Sequence, residues 1–221
     1  MSSKERVTLK LDNRELIAKK IADELQDGEV VNLGVGIPTL VAKYIEGRPI
    51  YLQTENGLIG MGPPPSKENI DIDLIDASKS PVTITPEAAF FDSAFSFGMI
   101  RGGHIDVAVL GTLEVDCYGE IANWSVPNQP ILGVGGAMDL VAGAKKVIVA
   151  STLFTKDGSP KLVKKLSLDS SGERKVDQFI TEYANFVFQD GEIIVKDIYG
   201  SLSFEELEEK IGLSLKIKIT K

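Results

Sequence analysis

Apolar positions along this chain alternate between two patterns: recurrence every three to four residues, and short unbroken runs. After Asp12 or Asn13 as a cap, Leu16, Ile17, Ile21 and Leu25 fall at helical spacing, and Asp27-Gly28 closes the segment. Val30-Val31-Asn32-Leu33 then has the composition of a buried strand and runs into Gly34-Val35-Gly36-Ile37-Pro38. Two glycines there permit a tight backbone path, and Pro38 suits the first turn of a helix. Ile50-Tyr51-Leu52 is the next strand, and it delivers Glu55. Beyond it, Gly60-Met61-Gly62-Pro63-Pro64-Pro65 is expected as a rigid surface loop, because prolines cannot enter a helix interior or a central strand.

The alternation continues through the second half. Pro86 to Ile100 carries Ala88, Ala89, Phe91, Ala94, Phe95 and Ile100 and is expected as an apolar helix. Asp106 to Leu110 is another buried strand. Ile131 to Leu140 holds a second glycine-rich turn opening a short helix, and Val147 to Ala150 follows as a strand. Thr155 to Lys175 is polar and lysine-rich, and is expected as the least ordered surface excursion. Phe186-Val187-Phe188 and Ile193-Ile194-Val195, joined through Asp190-Gly191, form a hairpin pattern, and Ser203 with Glu206 forms a capping box. The predicted class is α/β, an open, mostly parallel mixed sheet flanked by helices, in a single domain over residues 1–221.

Composition narrows the possible roles. A net charge of -8 on 221 residues argues against a nucleic-acid partner or an anionic membrane surface, both of which need a basic face. The start, Met1 to Arg6, is polar, and no run has bilayer-spanning length. One cysteine, Cys117, excludes an intrachain disulfide framework and fits a reducing, cytoplasmic setting.

The same inventory limits the chemistry. His104 is the only histidine and sits at the amino end of a strand, opposite the usual catalytic rim, so it is expected to make structural hydrogen bonds. Asp71, Asp73 and Asp76 are expected on a partly exposed strand and its ends, and no metal is predicted. Cys117 beside Asp116 lacks a cation to lower its pKa and is expected to be inert. Trp124 is expected in core or interface. Gly34-x-Gly36 lacks a dinucleotide fingerprint, and neither glycine loop ends as a nucleoside-triphosphate loop does. Gly133 to Ala137 offers either a row of backbone N–H groups for an oxyanion or thioester, or a tight turn without ligand. Glu55, in Gln53-Thr54-Glu55-Asn56-Gly57, is either a carboxylate nucleophile at the mouth of a sheet or a structural group.

These residues resemble a known family. Gln53 to Gly60 is similar to the signature of the beta subunit of class I coenzyme A transferases, usually Ser-Glu-Asn-Gly, with Thr54 in place of the serine. The resemblance extends through Val30 to Pro38, Phe91 to Asp106, Val109 to Trp124 and Gly133 to Val149, and is weakest over Ser151 to Ser171. It implies the fold shared by these transferases, sugar-phosphate isomerases and some repressor sensor domains.

It also implies a reaction. The glutamate matched by Glu55 would attack an acyl-CoA, giving a mixed anhydride and CoA thiolate. The thiolate would then form a glutamyl-CoA thioester, and an incoming acid would reverse both steps. One thioester replaces another, so no ATP, metal, general base or other cofactor is required, and coenzyme A is itself a substrate. Gly135, Gly136 and Ala137 would serve oxyanion stabilisation or CoA contact, and Asn56 and Gly57 would hold the turn. The partners implied are acyl-CoA, small carboxylic acids or 3-oxoacids such as acetoacetate, and an alpha subunit in an α2β2 assembly with the site between subunits. The alternatives are an acyl-CoA hydrolase using the same glutamate and a non-catalytic sugar-phosphate-type binding domain.

Overall fold

The computed structural model describes residues 11–125, 133–200 and 202–218. The polar start at Met1 to Arg6 and the beginning of the second glycine loop at Ile131 and Leu132 lie outside the described residues. The first helix, α1, spans Asn13–Glu24, with Asp12 as its cap: the Asp12 carboxylate accepts from the Glu15 N–H at 2.8 Å. The strands are β1 (Val30–Leu33), β2 (Tyr51–Thr54), β3 (Leu58–Met61), β4 (Ile84–Phe90), β5 (Val107–Gly111), β6 (Glu114–Asp116), β7 (Ile121–Ala122), β8 (Lys146–Ala150), β9 (Leu162–Val163), β10 (Gln178–Ile180), β11 (Ala184–Gln189), β12 (Glu192–Ile198) and β13 (Leu215–Ile217). The remaining helices are α2 (Ser93–Arg101), α3 (Ala137–Gly143) and α4 (Phe204–Ile211), with a 3₁₀ turn at Pro38–Tyr44.

Ten strands form one sheet in the order β13-β12-β11-β10-β8-β5-β1-β2-β3-β4. Its centre, β10-β8-β5-β1-β2, is parallel throughout, while β3 and β4 on one side and β11 and β12 on the other pair antiparallel. The central strands are buried on both faces, which is why they read as unbroken apolar runs. Val107 and Val109 face α1 with Ile17 and Ile21, while Ala108 and Leu110 face the opposite layer with Ile100 and Leu140. From β1 the chain first moves to β2 on one side and later returns to β5 on the other. The strand order therefore reverses between β1 and β5, and the crevice at their carboxyl ends is where open α/β sheets bind ligands.

Several expectations are met closely. The hairpin of β11 and β12 turns at Asp190 and Gly191, with φ of 52° and 78°, the conformation that hairpin twist requires. At α4 the Ser203 and Glu206 capping box is present in both directions.

Four expectations are corrected. The segment from Pro86 to Ile100 is not one helix: its first part is edge strand β4, paired with β3, where Pro86 is tolerated, and α2 begins only after Asp92. The Asp92 side chain accepts from the Phe95 N–H at 2.8 Å, a cap inside the expected helix. Gly60 and Met61 belong to β3, with a register irregularity between Ile59 and Met61, so the loop starts only at Gly62. The region of Asp71, Asp73 and Asp76 is a loop after a 3₁₀ turn at Lys67–Asn69, because its carboxylates bond local backbone, Asp71 to the Asp73 N–H and Asp76 to the Ser80 N–H, both at 2.9 Å. Thr155 to Lys175 is an ordered segment: β9 joins β6 and β7 in a second sheet, Leu162 is fully buried, and Glu114 anchors the Ser167 N–H at 2.7 Å.

Candidate active site

Glu55 sits at the turn between β2 and β3. The Gly57 N–H returns to the Thr54 carbonyl at 3.0 Å, so Glu55 and Asn56 form the apex of a tight hairpin at the carboxyl end of the parallel core. Gly57 has φ of 117°, and a side chain there would bring its Cβ within 2.0 Å of the Phe91 carbonyl oxygen. Only glycine fits this turn. The Thr54 hydroxyl donates to Asn56 Oδ1 at 2.8 Å and accepts from the Ala77 N–H at 2.9 Å, and the Asn56 amide donates to the Ile75 carbonyl at 2.9 Å. The hydroxyl at position 54 thus ties the turn to the segment that follows Asp76.

Below the turn lies a buried polar network. Asn32 on β1 donates from Nδ2 to Gln53 Oε1 at 2.7 Å and to Glu55 Oε2 at 3.2 Å. Gln53 in turn donates to the Ser96 hydroxyl of α2 at 2.9 Å. The other Glu55 oxygen, Oε1, faces the second glycine loop: a Cβ placed on Gly136 would lie 3.4 Å from it.

Both glycine loops, Glu55 and Thr54 line one cavity of about 870 Å3, together with Leu110 and Gly111 at the end of β5 and the segment Asp76 to Val82. This is the crevice at the strand-order reversal, of a size that holds a substantial ligand. The expected residues Glu55, Gly135, Gly136 and Ala137 therefore come together on one cavity, and Asn56 and Gly57 support it from behind. Gly136 caps α3, whose first residue is Ala137.

Sequence reasoning missed Asn32, Gln53 and Ser96, and it missed Lys79, the basic side chain among the described lining residues. A signal existed for the amides: Asn32 and Gln53 interrupt buried strands, and a buried amide must find hydrogen-bond partners.

Other candidates stand apart from the cavity. His104 precedes β5 as expected, but its imidazole is exposed, and its hydrogen bond is a backbone one, from its N–H to the Met99 carbonyl at 3.0 Å. Among the described residues the imidazole makes no side-chain hydrogen bond, so the structural hydrogen bonding expected of it is not found there. Burial and the adjacent Asp116 carboxylate push the Cys117 thiol up, and its sulfur donates to the Lys164 carbonyl at 3.0 Å, which fits an inert thiol. Trp124 is half-buried and donates to the Ser170 carbonyl at 3.3 Å. In the divergent segment, Lys161 donates to the Ser151 hydroxyl at 2.7 Å, with its ammonium pushed down by burial and the nearby Glu182 carboxyl pushed up by burial. Among the described residues no group of three or more histidine, cysteine, aspartate or glutamate side chains could hold a metal, and no helix is long and apolar enough to cross a membrane.

An open α/β sheet that presents the Glu55 carboxylate, with Asp76 also on the cavity wall, between two glycine loops at its strand-order reversal defines a class of protein that binds its ligand in the crevice of the sheet. Comparison with known proteins narrows the class. The coenzyme A transferase family model matches residues 14–199, and the chain belongs to that family. It is 46% identical over 206 residues to the B subunit of the succinyl-CoA:3-ketoacid coenzyme A transferase of Helicobacter pylori strain 26695, covering 93% of this chain and 100% of that one. It is 46% identical over 189 residues to the beta subunit of the acetate CoA-transferase of Escherichia coli K12, covering 85% and 86%. Among solved structures, the acyl-CoA transferase apoenzyme of Escherichia coli O157:H7 superposes with a TM-score of 0.76 at 25% identity, covering 96% of this chain but 43% of that longer one.

Proposed function

We propose that this chain is the catalytic B subunit of a coenzyme A transferase that moves CoA between a short-chain acyl-CoA and a carboxylic acid, with Glu55 as the nucleophile. The single observation that carries the reading is the position of Glu55: it lines the cavity with one oxygen held by Asn32 and the other turned towards Gly136. The names of the relatives favour succinate, acetate or a 3-oxoacid as the acids exchanged.

Oε1 of Glu55 attacks the acyl carbonyl carbon, the C–S bond breaks, and CoA leaves as thiolate. The thiolate then attacks Cδ of the mixed anhydride and expels the first acid, leaving a glutamyl-CoA thioester. A second acid attacks Cδ and displaces the thiolate, giving a new mixed anhydride; the thiolate then attacks the acyl carbon of that anhydride, the bond from this carbon to the glutamyl oxygen breaks, and the new acyl-CoA leaves with Glu55 restored as a carboxylate. Carboxylates are ionised at neutral pH and a thiolate departs without a proton, so no general base is needed. In this reading Gly135, Gly136 and Ala137, on the loop that Oε1 faces, serve oxyanion stabilisation at the substrate carbonyl oxygen or CoA contact, the Ala137 N–H also reaching the Val134 carbonyl at 3.4 Å. Removing one such donor costs about 3 to 4 kcal/mol of barrier. Lys79 supplies a positive charge in the cavity for an anionic substrate group.

The reading includes an alpha subunit of the same family, in an α2β2 assembly, with the cavity closed by it. Support comes from exposed large apolar side chains: Val35, which lines the cavity, at 69%, with Phe90 at 64%, Phe95 at 61% and Met138 at 44% accessibility. Large apolar side chains left exposed in this way suit a protein contact. Closure also excludes water, which would hydrolyse the anhydride and the thioester. A cytoplasmic location goes with this reading.

Co-expression with the alpha subunit, followed by assay over a panel of short acids and their CoA esters, tests the reading. Transfer to acids that greatly exceeds release to water is the expected result. CoA release to water alone would make the protein a hydrolase.

A further inference from the structure

We propose that Asn32 is a catalytic residue of this site, the hydrogen-bond donor to the oxyanion that forms on Glu55 itself. The inference rests on the reading of Glu55 as the nucleophile and extends it to the half of the chemistry that the glycine loop does not reach. The glycine loop faces Oε1, the oxygen that bonds to the substrate acyl group. The steps at Cδ place negative charge on the other oxygen.

The geometry assigns that oxygen. Asn32 is fully buried, and its Nδ2 lies 3.2 Å from Oε2. The orientation of its amide is fixed, because Nδ2 also donates to Gln53 Oε1 at 2.7 Å and approaches the Gln53 carbonyl at 3.2 Å. Turning the amide over would set Oδ1 against three acceptors. Gln53, 1% exposed, is held in its own orientation by Nε2 donating to the Ser96 hydroxyl at 2.9 Å, and Ser96 is fully buried. A chain of buried groups therefore runs from α2 through β2 to β1 and ends on the carboxylate.

This orientation costs the fold something. Asn32 Oδ1 is buried without a hydrogen-bond partner. An orphaned buried acceptor is ordinarily unfavourable, and its survival beside a reactive carboxylate points to function. A preorganised donor is worth most where charge develops in a water-poor site.

When an incoming carboxylate attacks Cδ of the glutamyl-CoA thioester, a C–O bond forms and the carbonyl π pair moves onto Oε2, where the Asn32 N–H receives it. Collapse re-forms the carbonyl, breaks the C–S bond and releases CoA thiolate. The same donor serves the reverse step, thiolate attack on the anhydride. Gln53 and Ser96 touch no reacting atom and are positioning residues.

The test uses the complex of this chain with its alpha subunit, loaded with acyl-CoA and freed of excess ligand so that the glutamyl-CoA adduct is isolated. The adduct is then chased with free carboxylic acid in a rapid-quench experiment. Asn32→Ala is expected to form the adduct on Glu55 but to discharge it about a hundredfold more slowly, with the KM for acyl-CoA little changed. Ser96→Ala, which loosens Gln53 without touching the donor, is expected to lower kcat by about tenfold, again without a matching change in KM. An adduct on Glu55 that Asn32→Ala discharges within about threefold of the wild-type rate would overturn the inference while leaving the nucleophile in place. If Asn32→Ala does not assemble, a wild-type discharge rate in Ser96→Ala overturns it instead. An adduct on another residue would overturn the reading of Glu55 and this inference together.

Discussion

The two oxygens of Glu55 have different surroundings: Oε2 meets a buried amide donor, and Oε1 faces a glycine loop with no side chain in the way. This asymmetry predicts that Glu55→Gln, which keeps shape and loses the anionic attacking pair, abolishes transfer while leaving assembly and melting temperature near wild type. Steady-state assay beside a thermal melt checks it. Position 136 behaves differently from position 57. A single added carbon at Gly136 meets the Glu55 carboxylate at ordinary contact distance, but the branches of Gly136→Val would push that carboxylate aside. Turnover is expected to fall by about tenfold or more, with little change in stability. Gly57→Ala, by contrast, sets a Cβ against the Phe91 carbonyl on a backbone at φ of 117°, and is expected to destabilise the protein by more than about 1 kcal/mol in urea unfolding.

At the scale of elements, α1 is tied to the sheet by more than its apolar face. Glu24 at its end accepts from Lys196 at 2.8 Å and from Gln178 at 3.0 Å, with Lys146 at 3.7 Å. Burial acts to raise the Glu24 carboxyl, but Lys196, Gln178 and Lys146 together hold it below its ordinary value. A carboxyl with a lowered folded-state pKa contributes stability that is present above its unfolded value, about 4.3, and is lost as pH falls through the folded value. Glu24→Gln is therefore expected to cost about 2 kcal/mol at neutral pH, the worth of a hydrogen bond to a charged group. The gap to wild type should narrow as pH falls below about 4, which paired urea melts would show. The legibility of elements in the sequence follows the same logic of burial. β1, β5 and β8 were plain as apolar runs because both of their faces are covered. β4 was not, since an edge strand exposed on both faces carries no period, and its alanines and phenylalanines continue into α2 without a gap. Asp92 marked the boundary, but as a cap it competes with many aspartates that are merely exposed. At the site, the apolar strand ending at Leu52 placed Glu55 at the mouth of the sheet, whereas Asn32 and Gln53 were hidden inside runs dominated by their neighbours. The cavity wall from Asp76 to Val82 is a loop folded back by its own Asx contacts, and it leaves no periodic trace.

At the scale of the whole molecule, large apolar side chains stand uncovered, Val35 on the cavity wall among them, and the chain spans 43% of a longer homologous chain with the same fold. Both facts fit a protein whose site is completed by a second half. The isolated chain is expected to be inactive or nearly so, with activity appearing on mixing with the alpha subunit. Phe95→Asp, on the exposed side of α2, is expected to weaken that association by about tenfold or more, since a buried unpaired charge at an apolar contact is costly; analytical ultracentrifugation of the mixture checks it. The central claim is that Glu55 carries the acyl group and then CoA. Peptide mass spectrometry of the complete complex, quenched during turnover with acyl-CoA, tests it most directly. The account predicts a CoA adduct on Glu55, in the peptide containing Gln53 to Gly57, that disappears on addition of free acid. An adduct on any other residue, or turnover without one on Glu55, would contradict it.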